Sequence, residues 1–133
     1  MALIEFGRNG WFGVISDEIT FENVRIVAQA VADYLNDTSA PGPVALGYDT
    51  RFLSREYAWA IQQVLTGNGI RVLLHKKPVP TSFLSLSVRL YGAGLGIMVT
   101  GEGRPARFSG LTFRLREGLP ASDAWMNSLF NYL

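Results

Sequence analysis

Short apolar runs of strand character alternate along this chain with longer stretches of helical periodicity, and that alternation constrains the fold more than any other feature. A helix buries a stripe that repeats about every 3.6 residues, whereas a strand alternates its faces at every second residue. A chain that keeps switching between the two periods builds a layered α/β domain, with helices packed on a sheet. Trp11 to Ser16 predicts a short strand. Thr20 predicts an N-cap for a helix from Phe21 to about Asn36, because its hydroxyl can accept from a first-turn N–H. Phe21, Val24, Val27, Ala28, Val31, Tyr34 and Leu35 give that helix one buried face. Val44 to Tyr48 predicts a buried strand. Ser54 is expected to cap a helix to Thr66 with Tyr57, Ile61, Val64 and Leu65 inward, and Gly67-Asn68-Gly69 ends it. Ile70 to His75 predicts the next strand, Thr81 a cap for a third helix to about Tyr91, and Leu95 to Thr100 another strand. Leu111 to Arg116 alternates apolar and polar residues, which suits a strand with one wet face at the sheet edge. Ser122 or Asp123 opens a last helix over about 122–133.

The totals fit one domain spanning 1–133. The chain has 133 residues, 48% of them apolar and 17% charged, which argues for a real core and against disorder. Its formal net charge of +1 argues against a general electrostatic grip on nucleic acid or acidic membranes. No cysteine is present, so disulfides, thiolate metal sites and cysteine catalysis are excluded. The N-terminus lacks a basic segment followed by an apolar run. The uncharged stretches Tyr57–Ile70 and Leu90–Gly101 fall short of the roughly 18 apolar residues that a membrane span needs. The default expectation is a soluble cytoplasmic protein. Gly94-Leu95-Gly96 and Gly101-Glu102-Gly103 lack the full spacing of a dinucleotide fingerprint. His75, with no cysteine and no second histidine, reads as structural.

Several segments, in order and in spacing, resemble the first domain of the phosphohexomutases, the phosphoglucomutase/phosphomannomutase family. Phe6-Gly7-Arg8-Asn9-Gly10-Trp11-Phe12-Gly13 resembles the opening F-G-T-[DS]-G-W-R-G. Thr20 to Leu35 is similar to the first helix, and Gly47-Tyr48-Asp49-Thr50-Arg51-Phe52-Leu53-Ser54 to the signature G-x-D-T-R-x-x-S. Val64 to Ile70, Pro78-Val79-Pro80-Thr81 and Gly118-Leu119-Pro120-Ala121-Ser122 follow in family order. The resemblance implies a three-layer α/β/α domain with a small mixed sheet.

It also implies where the chemistry would lie. Active members carry T-[AG]-S-H-N-P-x-x-Y-N-G-x-K after the fourth strand, and its serine carries the phosphoryl group. The matching stretch here is Thr100-Gly101-Glu102-Gly103-Arg104-Pro105-Ala106-Arg107-Phe108-Ser109-Gly110-Leu111-Thr112. Glu102 stands at the serine, Gly103 at the histidine, Arg104 at the asparagine and Thr112 at the lysine. Phe12 stands at the arginine of the opening motif. A carrier that accepts and returns a phosphoryl group in the family's manner needs a hydroxyl, and the cations that would stabilise the transferring group are gone. The expectation is a pseudoenzyme with no catalytic residue. No D-G-D-G-D run occurs before Leu133, so no magnesium site and no cofactor are expected.

Three uses remain for such a chain. The first is protein binding, as a structural subunit of a larger complex or of a homo-oligomer. Its candidate interface residues are Trp11, Phe12 and Phe108 around the lost site, and Trp125, Met126, Leu129, Phe130 and Leu133 on the last helix, which could equally dock on its own domain. The second is a sensor that binds a hexose phosphate or modulates a full-length mutase. Arg8, Arg51, Arg104 and Arg107 are its candidate anion contacts, although Arg51 could simply brace the loop. Glu102 could mimic the phosphoserine charge. Residual catalysis, complemented by a separate chain, is a third expectation.

Overall fold

The computed structural model describes residues 4–40 and 42–133. The elements run β1 (Gly10–Val14), α1 (Phe21–Thr38), β2 (Val44–Tyr48), α2 (Ser54–Gly67), β3 (Val72–Leu74), α3 (Thr81–Leu90), β4 (Leu95–Val99), β5 (Phe108–Leu115) and α4 (Asp123–Phe130). A tight turn over Arg116–Gly118 follows β5. The strands form one mixed sheet in the order β1-β5-β4-β2-β3. β2 runs parallel to both β3 and β4, and β5 is antiparallel to β4 and to β1. The α/β expectation and the small mixed sheet therefore hold.

Two layers of helix enclose the sheet, and the sequence pattern explains which side each takes. On one side Val24, Val27, Val31, Tyr57, Ile61 and Leu65 from α1 and α2 pack on Leu46, Ile97, Val99, Leu111 and Phe113, and Met126 and Leu129 of α4 join them. On the other side Leu84 and Val88 of α3 meet Ala45 and Met98. β2 and β4 are buried throughout, so they read as continuous apolar runs. Gly96 is required by the α3 layer: a Cβ there would lie 2.4 Å from Val88 Cγ2.

Thr20 caps α1 as expected, its Oγ1 accepting from Asn23 N at 3.1 Å, and Ser122 caps α4 by accepting from Trp125 N. Other expectations are corrected. The N-cap position of α2 falls on Leu53, in the left-handed region at φ 64°, with no side-chain cap. Ser54 donates its hydroxyl to Asp49 Oδ1 at 2.6 Å instead. Pro80 precedes α3, and Thr81 is already helical. β3 is three residues rather than six. β5 is not an edge strand, because β1 pairs with its outer side. Its polar face is not wet either: Thr112 is fully buried.

Candidate functional site

β2 and β4 are neighbouring parallel strands, so their carboxyl ends deliver two loops to the same place, where open α/β sheets usually hold ligands. Asp49 follows β2 and Thr100 follows β4, and Asp49 N donates to Val99 O at 3.0 Å. Asp49 Oδ1 then accepts from Arg51 N at 3.0 Å and from Ser54 Oγ, which fixes the turn into α2. This local folding aims the Arg51 guanidinium across the gap into the 100–108 loop.

Arg51 organises that loop. Nη1 donates to the carbonyls of Pro105 at 2.6 Å and Phe108 at 3.0 Å. Nη2 donates to the carbonyls of Glu102 and Arg104, each at 2.7 Å. Nε lies 3.3 Å from Asp49 Oδ2. Every nitrogen of the fork is engaged with protein oxygen, so Arg51 braces the loop and is removed from the candidate anion contacts.

At the apex Glu102 takes a left-handed φ of 54°, and its N–H donates to Thr100 Oγ1 at 2.9 Å. Its carboxylate is exposed and lies 3.8 Å from Arg104 Nη1. The Arg104 guanidinium lies over the Phe12 ring, 3.8 Å from the centroid. The two residues that the resemblance sets against an asparagine and an arginine thus contact each other, and a cation–π stack stands where the family would have two polar groups. Gly103 is exposed, with open space where a Cβ would go. Arg107 lies 5.1 Å from the Phe108 ring, and Arg8 is exposed in the turn before β1. The four candidate arginines do not converge.

A further cation was missed. Register pairs Gly10 with Thr112 and Phe12 with Gly110, and directly paired residues share a sheet face. Thr112 and Arg114, two apart, therefore lie on that face too. Thr112 Oγ1 lies 3.2 Å from Asn9 O and Oδ1. Arg114 reaches back to donate from Nη1 to Thr112 Oγ1 at 2.9 Å, with Nε on Ser85 Oγ at 3.2 Å. Burial lowers its pKa, and the nearby Glu102 charge partly restores it. The period-two spacing from Thr112 was the signal that could have found Arg114. Phe12, Thr112, Arg104, Arg114 and Glu102 make a shelf over β5 and β1 beside α3. Its two guanidiniums have the chemistry of anion recognition, opposed by the Glu102 carboxylate beside Arg104 and limited by the engagement of Arg114 Nε and Nη1 with Ser85, Thr112 and Phe113. Among the described residues, no three His, Cys, Asp or Glu side chains converge as metal ligands.

Part of the expected interface is internal, and Phe12 and Phe108 are half-buried. Trp11 is 2% exposed, Met126 3% and Leu129 0%, so these three belong to the core. Trp11 pairs with Leu111 on the face that α1 and α2 cover. Trp125 is half-buried against Phe113 and Tyr34. The last helix thus docks on its own domain, and only Phe130 and Leu133 leave large exposed surface. Exposed apolar residues that sequence reading missed include Phe83, Leu86 and Leu90 on the outer face of α3, with Tyr91 and Leu119 near it and Phe52 and Trp59 elsewhere.

Fold and site together define a three-layer α/β/α domain with its functional loops at the carboxyl ends of two parallel strands. Residues 3–132 match the family described as phosphoglucomutase/phosphomannomutase, alpha/beta/alpha domain I, and the chain belongs to that family. The phosphoglucomutase of Staphylococcus saprophyticus is 30% identical over 135 residues, covering 97% of this chain and 24% of that protein. The phosphoglucomutase of Staphylococcus haemolyticus is 33% identical over 105 residues, covering 79% of this chain and 19% of its own length. A phosphomannomutase-type structure from Thermus thermophilus superposes with a TM-score of 0.95 at 36% identity, over 98% of this chain and 30% of that one. The chain thus spans about a quarter of the relatives it matches. Among the described residues no helix is long and apolar enough to cross a membrane.

Proposed function

We propose that this phosphohexomutase-like domain has given up phosphoryl transfer and works as a protein-binding or structural subunit. The observation that carries the reading is Glu102, a carboxylate at the apex of the loop where the family places its phosphoryl-carrying serine. A serine cycle attacks and releases phosphorus through one hydroxyl oxygen. Glu102 offers no hydroxyl, and its negative charge repels an incoming phosphate. Gly103 brings no side chain, Thr112 no charge, and Phe12 offers a ring to Arg104 rather than a cation to substrate. The exposed stripe Phe83, Leu86 and Leu90 supports contact with a partner.

The test is an intact-mass measurement after incubation with a hexose bisphosphate, on the wild type and on Glu102→Ser. The wild type is expected to keep its mass and to show no coupled mutase activity. A phosphoryl group retained on any wild-type side chain overturns the reading.

A second reading is supported by Arg104 and Arg114 on one shelf: a sensor of hexose phosphate. Calorimetric titration with glucose 1-phosphate and glucose 6-phosphate separates the two. No heat and no thermal shift at millimolar ligand removes the sensor.

A further inference from the structure

The sheet ends at β3, and the edge it leaves open differs in charge from the rest of the molecule. Pairing fixes which backbone groups are free. Val44 N donates to Arg71 O, and His75 N donates to Leu46 O. In a parallel ladder the groups facing one neighbour come from alternate residues. Arg71, Leu73 and His75 therefore face β2, and the N–H and C=O groups of Val72 and Leu74 point outward. All three β3 residues are only partly buried, unlike those of β2 and β4.

A groove of about 610 Å³ runs along this edge, lined by β3 with Pro43, Arg71, His75, Lys76, Ser87 and Tyr91. Lys76 also lines the adjoining cleft of about 480 Å³, where Lys77, Arg55 and Arg51 outnumber Asp49 and Glu56. Every ionisable side chain lining the groove is basic or aromatic. The sequence reinforces this: from Tyr57 to Gly101 there is no Asp or Glu, whereas Arg71, His75, Lys76, Lys77 and Arg89 fall in that span. A net charge of +1 over the whole chain conceals this one-sided flank.

We infer that the free edge of β3 receives an extended acidic segment of a partner protein, added as a sixth strand. This rests on the protein-binding reading above and names the chemistry of the partner. Outward amides and carbonyls at Val72 and Leu74 supply main-chain pairing. Arg71, Lys76 and Lys77 supply the field that selects carboxylates, and Tyr91 offers an apolar wall. The same charges reject a second copy, because edge-to-edge pairing would crowd Arg71 and Lys76 of both copies along one rim. A short edge strand leaving through Lys76-Lys77-Pro78 is protected against such self-pairing, yet remains open to an acidic strand.

The test uses the full chain, 15N-labelled, titrated with a capped hexapeptide alternating Glu and Val and with its Lys-for-Glu counterpart. The acidic peptide is expected to shift the Val72 and Leu74 amides and to slow their hydrogen exchange. Lys76→Glu/Lys77→Glu lies on exposed positions and leaves the core intact. It is expected to weaken acidic-peptide binding roughly ten-fold, with the Lys peptide gaining. An N-methylated acidic peptide, unable to pair through its backbone, is expected not to bind. The inference is overturned if shifts map to Phe83, Leu86 and Leu90 instead, if charge reversal leaves affinity unchanged, or if only phosphatidylserine vesicles bind. A β3-mediated dimer in sedimentation would also overturn it. None of these outcomes depends on the phosphoryl state of Glu102, so this test and that of the pseudoenzyme reading fail separately.

Discussion

Replacing Arg51 by alanine tests the claim that one guanidinium holds the family loop in place. The substitution deletes four hydrogen bonds to the carbonyls of Glu102, Arg104, Pro105 and Phe108, and one contact with Asp49. A hydrogen bond to a charged group contributes about 1.5–3 kcal/mol. The sum is smaller than four times that, for two reasons. Glu102, Arg104 and Pro105 are exposed, so water replaces the lost donors. The four bonds also restrain one loop and are not additive. Asp49 keeps its bonds from Ser54 Oγ and the residue-51 amide, so no buried carboxylate is orphaned. The expected loss is about 3 kcal/mol, or roughly 10 °C in Tm for a domain of this size. Urea unfolding followed by circular dichroism measures the first quantity. Hydrogen exchange should show the loss localised, with amides of 101–104 and 106–108 exchanging far faster than those of β4. Arg51→Lys should recover less than half, because an ammonium cannot span carbonyls that a planar fork reaches together. A loss under about 1 kcal/mol for the alanine variant, or full recovery with lysine, would refute the bracing argument.

Leu129 is wholly buried, so Leu129→Ala should cost about 2–4 kcal/mol in chemical denaturation. Phe130→Ala, on the exposed side of the same helix, should cost far less. A double-mutant cycle between Phe12→Leu and Arg104→Gln should return a coupling of about 0.5–1 kcal/mol for the stack; strict additivity would mean that the contact contributes nothing in solution. Burial lowers the His75 pKa from its ordinary value of about 6.5. The unfolded chain therefore takes up the proton first. The His75 contribution to stability is present above pH about 6.5 and is lost as pH falls from there through the folded value. A ring-proton NMR titration with a midpoint at or above the ordinary value would contradict this, as would a His75→Asn variant with an unchanged stability profile below pH 6.5.

The elements were legible where a period was long and caps were strong. Thr20 with its helical stripe placed α1, and the unbroken apolar runs placed β2 and β4. The failures share a physical cause. Alternation in Leu111-Thr112-Phe113-Arg114 reports which face is polar, not whether water reaches it. Here β1 closes the outer edge of β5, and Asn9 and Arg114 cover Thr112. Ser54 has the chemistry of a cap, but Asp49, five residues earlier, claims its hydroxyl. Trp11 is expected at the interface because the family layout sets it with Phe12 and Phe108 around the lost site. Strand geometry sends adjacent residues to opposite faces, and Trp11 enters the core. The site was half legible. The loop and Glu102 follow from the motif register, whereas the Arg104–Phe12 stack and the return of Arg114 depend on side-chain paths that spacing does not encode.

The pairing of β1 with β5 has a consequence for synthesis. Asn9 and Thr112 meet across 103 positions of sequence. β1 leaves the ribosome before the other strands, yet has nothing to pair with until β5 has followed it. The parallel strands β2, β3 and β4, joined by their own helices, can assemble in the meantime around shorter loops. The shelf beneath Glu102 can therefore form only after β5 has emerged, when β1 returns to pair with it.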